Sequence, residues 1–549
     1  MADKMSTLEH LRTYRHAYQL TAAACMGSIF YGWDIGLIGG VIAMDSFKTY
    51  FEVTKLDANA KANLNGNIVS ILQGGCFFGA LFTGYFSGRF GRKPTLIASG
   101  IIYILGSVIQ SIVGLGSSAS TALSVLYFGR FVGGVGVGMV SALVPSYVSE
   151  SVPKAIRGRC TGSIQFSNNV GIMLSFWVNY STVQRDIGDY QWRLPFIVQL
   201  VPGVIFTFAM LFQPESPRWL VEHGQRERAA QSLASAAGKT ANDPAVQYTL
   251  AEIEEEFSGR AQIPLWRQFL LMGETRVTAL RCFIPSLVMF FQQWTGTNAI
   301  NYFSPQIFAG LGLSSTTSTL FATGIYGVVK VVAVGTVLVL AVERFGRKKC
   351  LLYGGILQSA TMLWIGGFSA IHPQPTIIPA SYVSLVAVYL YAVGYCIGWG
   401  PVPWVVASEV APNHLRTAVM AIAVGINWLF SFTISRITPI LIQDIAYGTF
   451  LIFGLCCALM SLWAYFLFPE TSGVALEDIH FLFEDHMLVR SLQDAPLGRI
   501  FLGGKRARPV DELRAEAEPD VMIMDDSKSD AKVSVHDPHP STGRGISSV

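Results

Sequence analysis

Twelve apolar runs recur along this chain, at about residues 18–42, 65–87, 94–115, 123–149, 160–181, 194–213, 277–304, 316–341, 349–370, 380–407, 416–441 and 446–468. A bilayer-crossing helix needs about 20 largely apolar residues, and most of these runs reach that length. Only 14% of the 549 residues are charged, against about 25% in soluble domains. An ordinary soluble enzyme is therefore excluded. Hydrophobic residues make up 51% and the formal net charge is +3 with no basic patch, which excludes a disordered chain and a nucleic-acid binder. The expected fold is an all-α polytopic membrane protein of twelve transmembrane helices.

The polar stretch 214–276 splits the runs six and six. This predicts a short N-terminal segment at 1–17, a six-helix bundle at 18–213, a helical linker at 214–276, a second bundle at 277–468 and a tail at 469–549. The tail turns Ser-, Asp- and Pro-rich and is expected to be disordered after about residue 503. Lys and Arg crowd alternate loops, whereas the loops between them hold only Lys48, Lys55, Lys61, Arg185 and Arg193. Basic residues stay on the cytoplasmic side, so both termini are expected there. Three basic residues lie deep inside runs: Arg130, Lys330 and Arg436.

The two halves repeat. The segment Arg89 to Lys93 (RFGRK) recurs as Arg344 to Lys348, 255 residues on, and Pro214-Glu215-Ser216 recurs as Pro469-Glu470-Thr471 at the same interval. Ser149-Glu150 with Pro153 and Arg157 recurs as Ser408-Glu409 with Pro412 and Arg416, 259 residues on. Internal repeats of this kind build transporters that rock two halves about a site near the midplane.

The eight cysteines form no CxxC pair and sit mostly in apolar runs, so neither a metal site nor a disulfide framework is expected. The residues before the first run lack a signal-peptide cleavage pattern, and the first run is expected to stay in place. The glycines from Gly133 to Gly138 lie inside a run with no strand before them, which points to close helix packing rather than a dinucleotide loop. No Walker sequence occurs, so direct ATP drive is not supported and no cofactor is expected.

Several motifs carry a resemblance. They are Gly32-Trp33-Asp34, the two RFGRK segments, Arg130 with Gly134 to Gly138, Pro145-Ser146-Tyr147 with Glu150, and Trp192 to Pro195 with Gln199. The second half adds Gln292 to Asn298 (QQWTGTN), Gly400 to Trp404 (GPVPW), Asn427-Trp428 and Pro469-Glu470-Thr471. Over about residues 18–480 the chain resembles the sugar porter family of the major facilitator superfamily, in particular its fungal hexose-transporter-like and quinate-permease-like members. The resemblance implies a plasma-membrane importer, not an enzyme, that works as a monomer on a monosaccharide or a related polyhydroxy acid.

Asp34 is the only acid in the first run. A charge there costs about 2.5–3.5 kcal/mol unless paired or used, and helix rise places Arg130 at a similar depth. The resemblance implies that Asp34 is the proton site and Arg130 its modulator; a static ion pair is the alternative. Gln165, Gln292, Gln293, Asn298, Trp404 and Asn427 match sugar-binding positions. Amides donate and accept toward hydroxyls, and an indole covers a sugar ring's apolar face. Gly296 is expected to break the seventh helix between the glutamine pair and Asn298. Asn301, Tyr302 and Phe303 are expected to form the outer gate.

Lys330 falls near the midplane, where many sugar porters carry an asparagine at or beside this position, so an anionic cargo such as quinate or galacturonate is one reading. A lysine paired within the protein is the other. Arg436, on the opposite face from Asn427, is expected near the outer interface close to Asp444. Glu150, Arg157, Glu215, Arg218, Glu343, Arg347, Glu409 and Arg416 match the inner-gate charges of the family. Gly88 departs from the aspartate usual in the first RFGRK-type motif, and Ser472 from the lysine usual after Pro-Glu-Thr. A uniporter and a non-transporting nutrient sensor remain rival readings.

Overall fold

The computed structural model describes residues 12–115, 118–185, 187–258, 265–340, 346–412, 414–474, 478–484 and 487–494. Glu343 and the tail beyond residue 494 lie outside them. Every regular element among the described residues is a helix.

The first six bundle helices are α1 (Arg15–Ala43), α2 (Ala58–Phe90), α3 (Arg92–Ser111), α4 (Ala119–Ser151), α5 (Arg157–Val183) and α6 (Tyr190–Leu211). The second six start with α7, which is two segments, Arg276–Trp294 and Thr297–Gly310. They continue with α8 (Thr316–Leu340), α9 (Arg347–Ile371), α10 (Pro379–Val410), α11 (Arg416–Asp444) and α12 (Tyr447–Leu467). Between the sets run short linker helices, among them Pro217–Glu222, Arg226–Ala237 and Pro244–Ser258. Trp219, Leu220, Ala229, Ala230 and Leu250 give them a small core of their own.

Ten of the described helices are long and apolar enough to cross a membrane. The two bundle helices outside that set are α5 and α7, and each has a physical reason. Gln165, Asn168, Asn169 and Asn179 dilute α5, and α7 is broken. Both spend polar residues on the interior rather than on lipid.

Burial runs opposite to that of a soluble protein. Phe78, Phe82, Phe128, Phe208, Leu455 and Leu459 are exposed, whereas Asp34, Arg130, Asn179, Gln199 and Gln293 are buried. An apolar exterior around a polar interior is what hydrocarbon selects, because an unsatisfied polar group in lipid costs several kcal/mol. The glycine run packs as expected: a methyl group on Gly138 would collide with the carbonyl oxygen of Cys76, so α4 and α2 meet backbone to backbone. The halves meet where α2 packs on α11, α5 on α8, and the second segment of α7 on α1.

Candidate functional site

The site lies where those seams converge. Asp34 on α1 faces Arg130 on α4, Oδ1 to Nη1 at 3.4 Å, both side chains with no exposed surface. Arg130 Nε donates to the Ile68 carbonyl of α2 at 2.7 Å. Asp34 Oδ2 is buried with no hydrogen-bond partner. A dry carboxylate oxygen without a donor is costly as an anion and is a place where a proton can reside.

Beside the pair, Tyr31, Gln165, Gln292, Gln293, Asn298, Asn301, Tyr302, Lys330, Tyr395, Trp404, Asn427 and Trp428 line a cavity of about 50 Å³. Small-molecule sites are typically about 300–1,000 Å³, so this cavity is contracted and has to widen before it can hold a small molecule of ordinary size. The amides currently satisfy one another. Gln292 Nε2 donates to the carbonyls of Trp399 and Gly400 at 2.8 Å each, and its Oε1 accepts from Asn427 Nδ2 at 2.8 Å. Asn298 Nδ2 donates to Gln293 Oε1 at 2.6 Å and to Ser431 Oγ at 2.9 Å. Amides paired in this way can exchange their partners for hydroxyl groups, which donate and accept equivalently.

Gly296 sets this geometry. Its φ of 84° is left-handed, and it ends one α7 segment at Trp294 and opens the next at Thr297. The glutamine pair and Asn298 therefore project from two helix ends at the cavity. Downstream, on the second α7 segment, Asn301, Tyr302 and Phe303 are buried.

Lys330 on α8 is 2% exposed, so it does not snorkel. Its Nζ donates to Asn301 Oδ1 at 3.2 Å and stands 5.7 Å from the ring centres of Tyr326 and Tyr395. Among the described residues it has no ion-pair partner. Arg436 lies toward the outer end as expected but has a different partner. Its Nη2 donates to Asn63 Oδ1 of α2 at 2.7 Å, across the seam between the halves, because α11 packs along α2 and turns this face toward it rather than toward Asp444.

At the opposite, basic end each half carries the same network. In the first, Arg92 Nε bonds Glu150 Oε2 at 3.1 Å, Ser216 Oγ donates to Glu150, and Glu215 accepts from the backbone N–H groups of Arg92 and Lys93. In the second, Arg347 Nη2 bonds Glu409 Oε1 at 2.8 Å, Thr471 Oγ1 donates to Glu409 at 2.9 Å, and Glu470 accepts from the N–H groups of Arg347 and Lys348. The Pro-Glu-Ser/Thr repeat thus caps the helix that the last two residues of each RFGRK segment open, where free N–H groups and the helix dipole favour a carboxylate. Burial pushes the Glu215 carboxyl above its ordinary value, outweighing the hydrogen bonds from Ser216, Lys93 and Arg92.

Arg157 begins α5, Arg416 begins α11 and Arg218 lies in Pro217–Glu222, all at this end. Gly88 offers its carbonyl to Trp219 Nε1 at 2.8 Å. Ser472, in place of the usual lysine, accepts from Arg347 Nη1 at 2.9 Å. Sequence reasoning missed the places of Arg92 and Glu470 in these networks, although the 255-residue repeat carried the signal. It also missed Lys348, which is fully buried and donates to the carbonyls of Tyr465, Phe468 and Ser491 and to the Ser491 hydroxyl.

Comparison with known proteins places this geometry. Residues 20–483 match the family described as "Sugar (and other) transporter". A probable quinate permease of Aspergillus fumigatus is 34% identical over 484 residues, covering 86% of this chain and 88% of the relative. The quinate permease of Emericella nidulans is 33% identical, covering 90% and 96%. Among solved structures, the proton:xylose symporter XylE bound to 6-bromo-6-deoxy-D-glucose superposes with a TM-score of 0.71 at 28% identity, covering 86% of this chain and all of that one. These relatives are permeases and transporters, not enzymes.

Proposed function

The chain belongs to the sugar (and other) transporter family, a multi-pass membrane transporter of the major facilitator fold, and on that premise we propose that it imports a monosaccharide or polyhydroxy acid together with a proton. Residues 18–213 and 277–468 act as the two rocking bundles, 214–276 as a cytoplasmic linker, and both termini lie in the cytoplasm beneath the plasma membrane. Asp34 carries the proton and Arg130 tunes its release. Gln165, Gln292, Gln293, Asn298, Trp404 and Asn427 hold hydroxyls and ring. Tyr302 closes the outer side, and the charges around Glu150 and Glu409 close the inner side.

The observation that carries the reading is Lys330, a buried cation in the cavity wall with an amide and two aromatic rings for company. An uncompensated charge there is expensive, and a cargo carboxylate compensates it by a charge-assisted hydrogen bond. Quinate and galacturonate fit this chemistry, and the similarity to quinate permeases supports the former. The proton half of the reading is supported by the dry Asp34–Arg130 pair and by likeness to a proton:xylose symporter. Uptake into proteoliposomes, comparing quinate, galacturonate, xylose and glucose with a pH indicator inside, tests both halves. Acid uptake with proton entry supports them. Glucose and xylose uptake without acid uptake overturns the cargo assignment, and uptake without proton movement overturns the coupling.

A further inference from the structure

We infer that a hydrogen bond between Gln73 of α2 and the Tyr302 hydroxyl transmits the charge state of the Asp34–Arg130 pair to the outer gate, an inference that rests on the proton-coupled reading above. The second α7 segment meets the first half at Tyr302 in two ways. Its backbone carbonyl lies so close to α1 that a methyl group on Gly39 would collide with it. With the Gln73 amide oriented to satisfy its neighbours, the Tyr302 hydroxyl donates to its oxygen at 2.7 Å, and its nitrogen donates to the carbonyls of Ser70, at 3.0 Å, and Val69.

Both footholds belong to the helices that hold the ion pair. Gly39 follows Asp34 by five residues on α1. Gln73 follows Ile68 by five on α2, and the Ile68 carbonyl takes Arg130 Nε. At 1.5 Å per residue each separation is about 7.5 Å, less than a turn and a half of rigid helix. The titratable groups around Asp34 come from four other elements: Cys76 of α2, Tyr103 of α3, Arg130 of α4 and Tyr302 of α7. Arg130 is the counter-charge among them.

The consequence follows from which contacts depend on charge. With Asp34 ionised, Arg130 is drawn between its carboxylate and the Ile68 carbonyl, and α2 presents Gln73 to Tyr302. When Asp34 takes a proton, that pull on Arg130 is lost, the α2 seat relaxes and the α7 segment is freer to swing about Gly296. Gln73 does not line the cavity, so it acts as a positioning residue and not as a cargo ligand.

Gln73→Leu tests this in proteoliposomes, with cargo exchange and proton entry read separately. Exchange is expected to stay within about twofold of wild type, while accumulation against a gradient falls about fivefold, the equivalent of one ordinary hydrogen bond. Tyr302→Phe removes the same bond from the other side and should lose the same coupling. The double variant should lose no more than either single one. Wild-type accumulation in both single variants, or summed losses in the double, overturns the inference. Wild-type protein that moves cargo without protons overturns the coupling reading and this inference together, and that result is read before any variant is made.

Discussion

Lys330 Nζ and the Tyr326 hydroxyl both donate to one oxygen, Oδ1 of Asn301, each at 3.2 Å. A lysine on α8 and a tyrosine one turn before it therefore converge on the second segment of α7. The only charge of this cluster is held by a neutral acceptor, so a cargo anion can complete it without first breaking an ion pair.

Lys330→Asn should separate acid from neutral cargo. Loss of one member of a buried charge pair costs about 3–5 kcal/mol, so quinate and galacturonate uptake should fall by two orders of magnitude or more. Glucose uptake should survive or rise, because the new amide supplies a sugar-compatible group. Parallel uptake of the three compounds measures this, and equal proportional losses would make Lys330 a structural residue.

Asp34→Asn should abolish accumulation while leaving exchange. The amide cannot titrate, so about 2.3 kcal/mol per 100 mV and about 1.4 kcal/mol per pH unit are no longer linked to cargo. Counterflow at equal cargo concentrations measures exchange, and an imposed proton gradient measures accumulation. Undiminished uphill uptake would remove Asp34 from the coupling.

Gly138→Ala should destabilise the first bundle without touching the cavity. The added methyl meets the Cys76 carbonyl oxygen, a backbone atom that cannot rotate away. Overpacking of this kind costs about 1–3 kcal/mol, visible as a lower melting temperature in detergent. An unchanged melt would mean that α2 and α4 can separate freely.

Glu215→Gln should alter the pH dependence of stability. Burial raises the Glu215 carboxyl above its ordinary 4.5, so the folded state holds the proton more tightly than the unfolded one. Stability from this group is then greatest below 4.5 and declines as pH rises through the raised value. The amide has no proton to lose, so the variant should gain on wild type as pH rises across that window. Paired melts from pH 4 upward check the sign, and a variant that loses ground to wild type as pH rises would contradict it.

Much of this was legible beforehand because it rests on local composition and repeat spacing. Twelve apolar runs correspond to twelve bundle helices, although α5 and α7 are more polar than a hydropathy criterion accepts. The expected single run at 277–304 is broken at Gly296, where the sequence placed the break. Partner choice was less legible. Asp34 and Arg130 could be matched by depth, since each is a rare charge in an apolar run. Arg436 could not, because Asn63 is one of many polar residues near a loop and only the packing of α2 on α11 selects it. Gln73 was invisible for the same reason: an amide in a span reads alike whether it holds a neighbouring helix, a gate or nothing.

The two RFGRK lysines have parted ways. Lys93 is half-buried and reaches the Leu211 carbonyl at 2.8 Å, whereas Lys348 is fully buried and is also clasped by Ser491 in the short helix Met487–Asp494. That short helix is thereby moored to the second half. If the two halves rock as proposed, the helix moves as ballast with the second, so a fluorophore attached at its end would report the swing of that bundle relative to a label on the linker, without a probe inside the membrane.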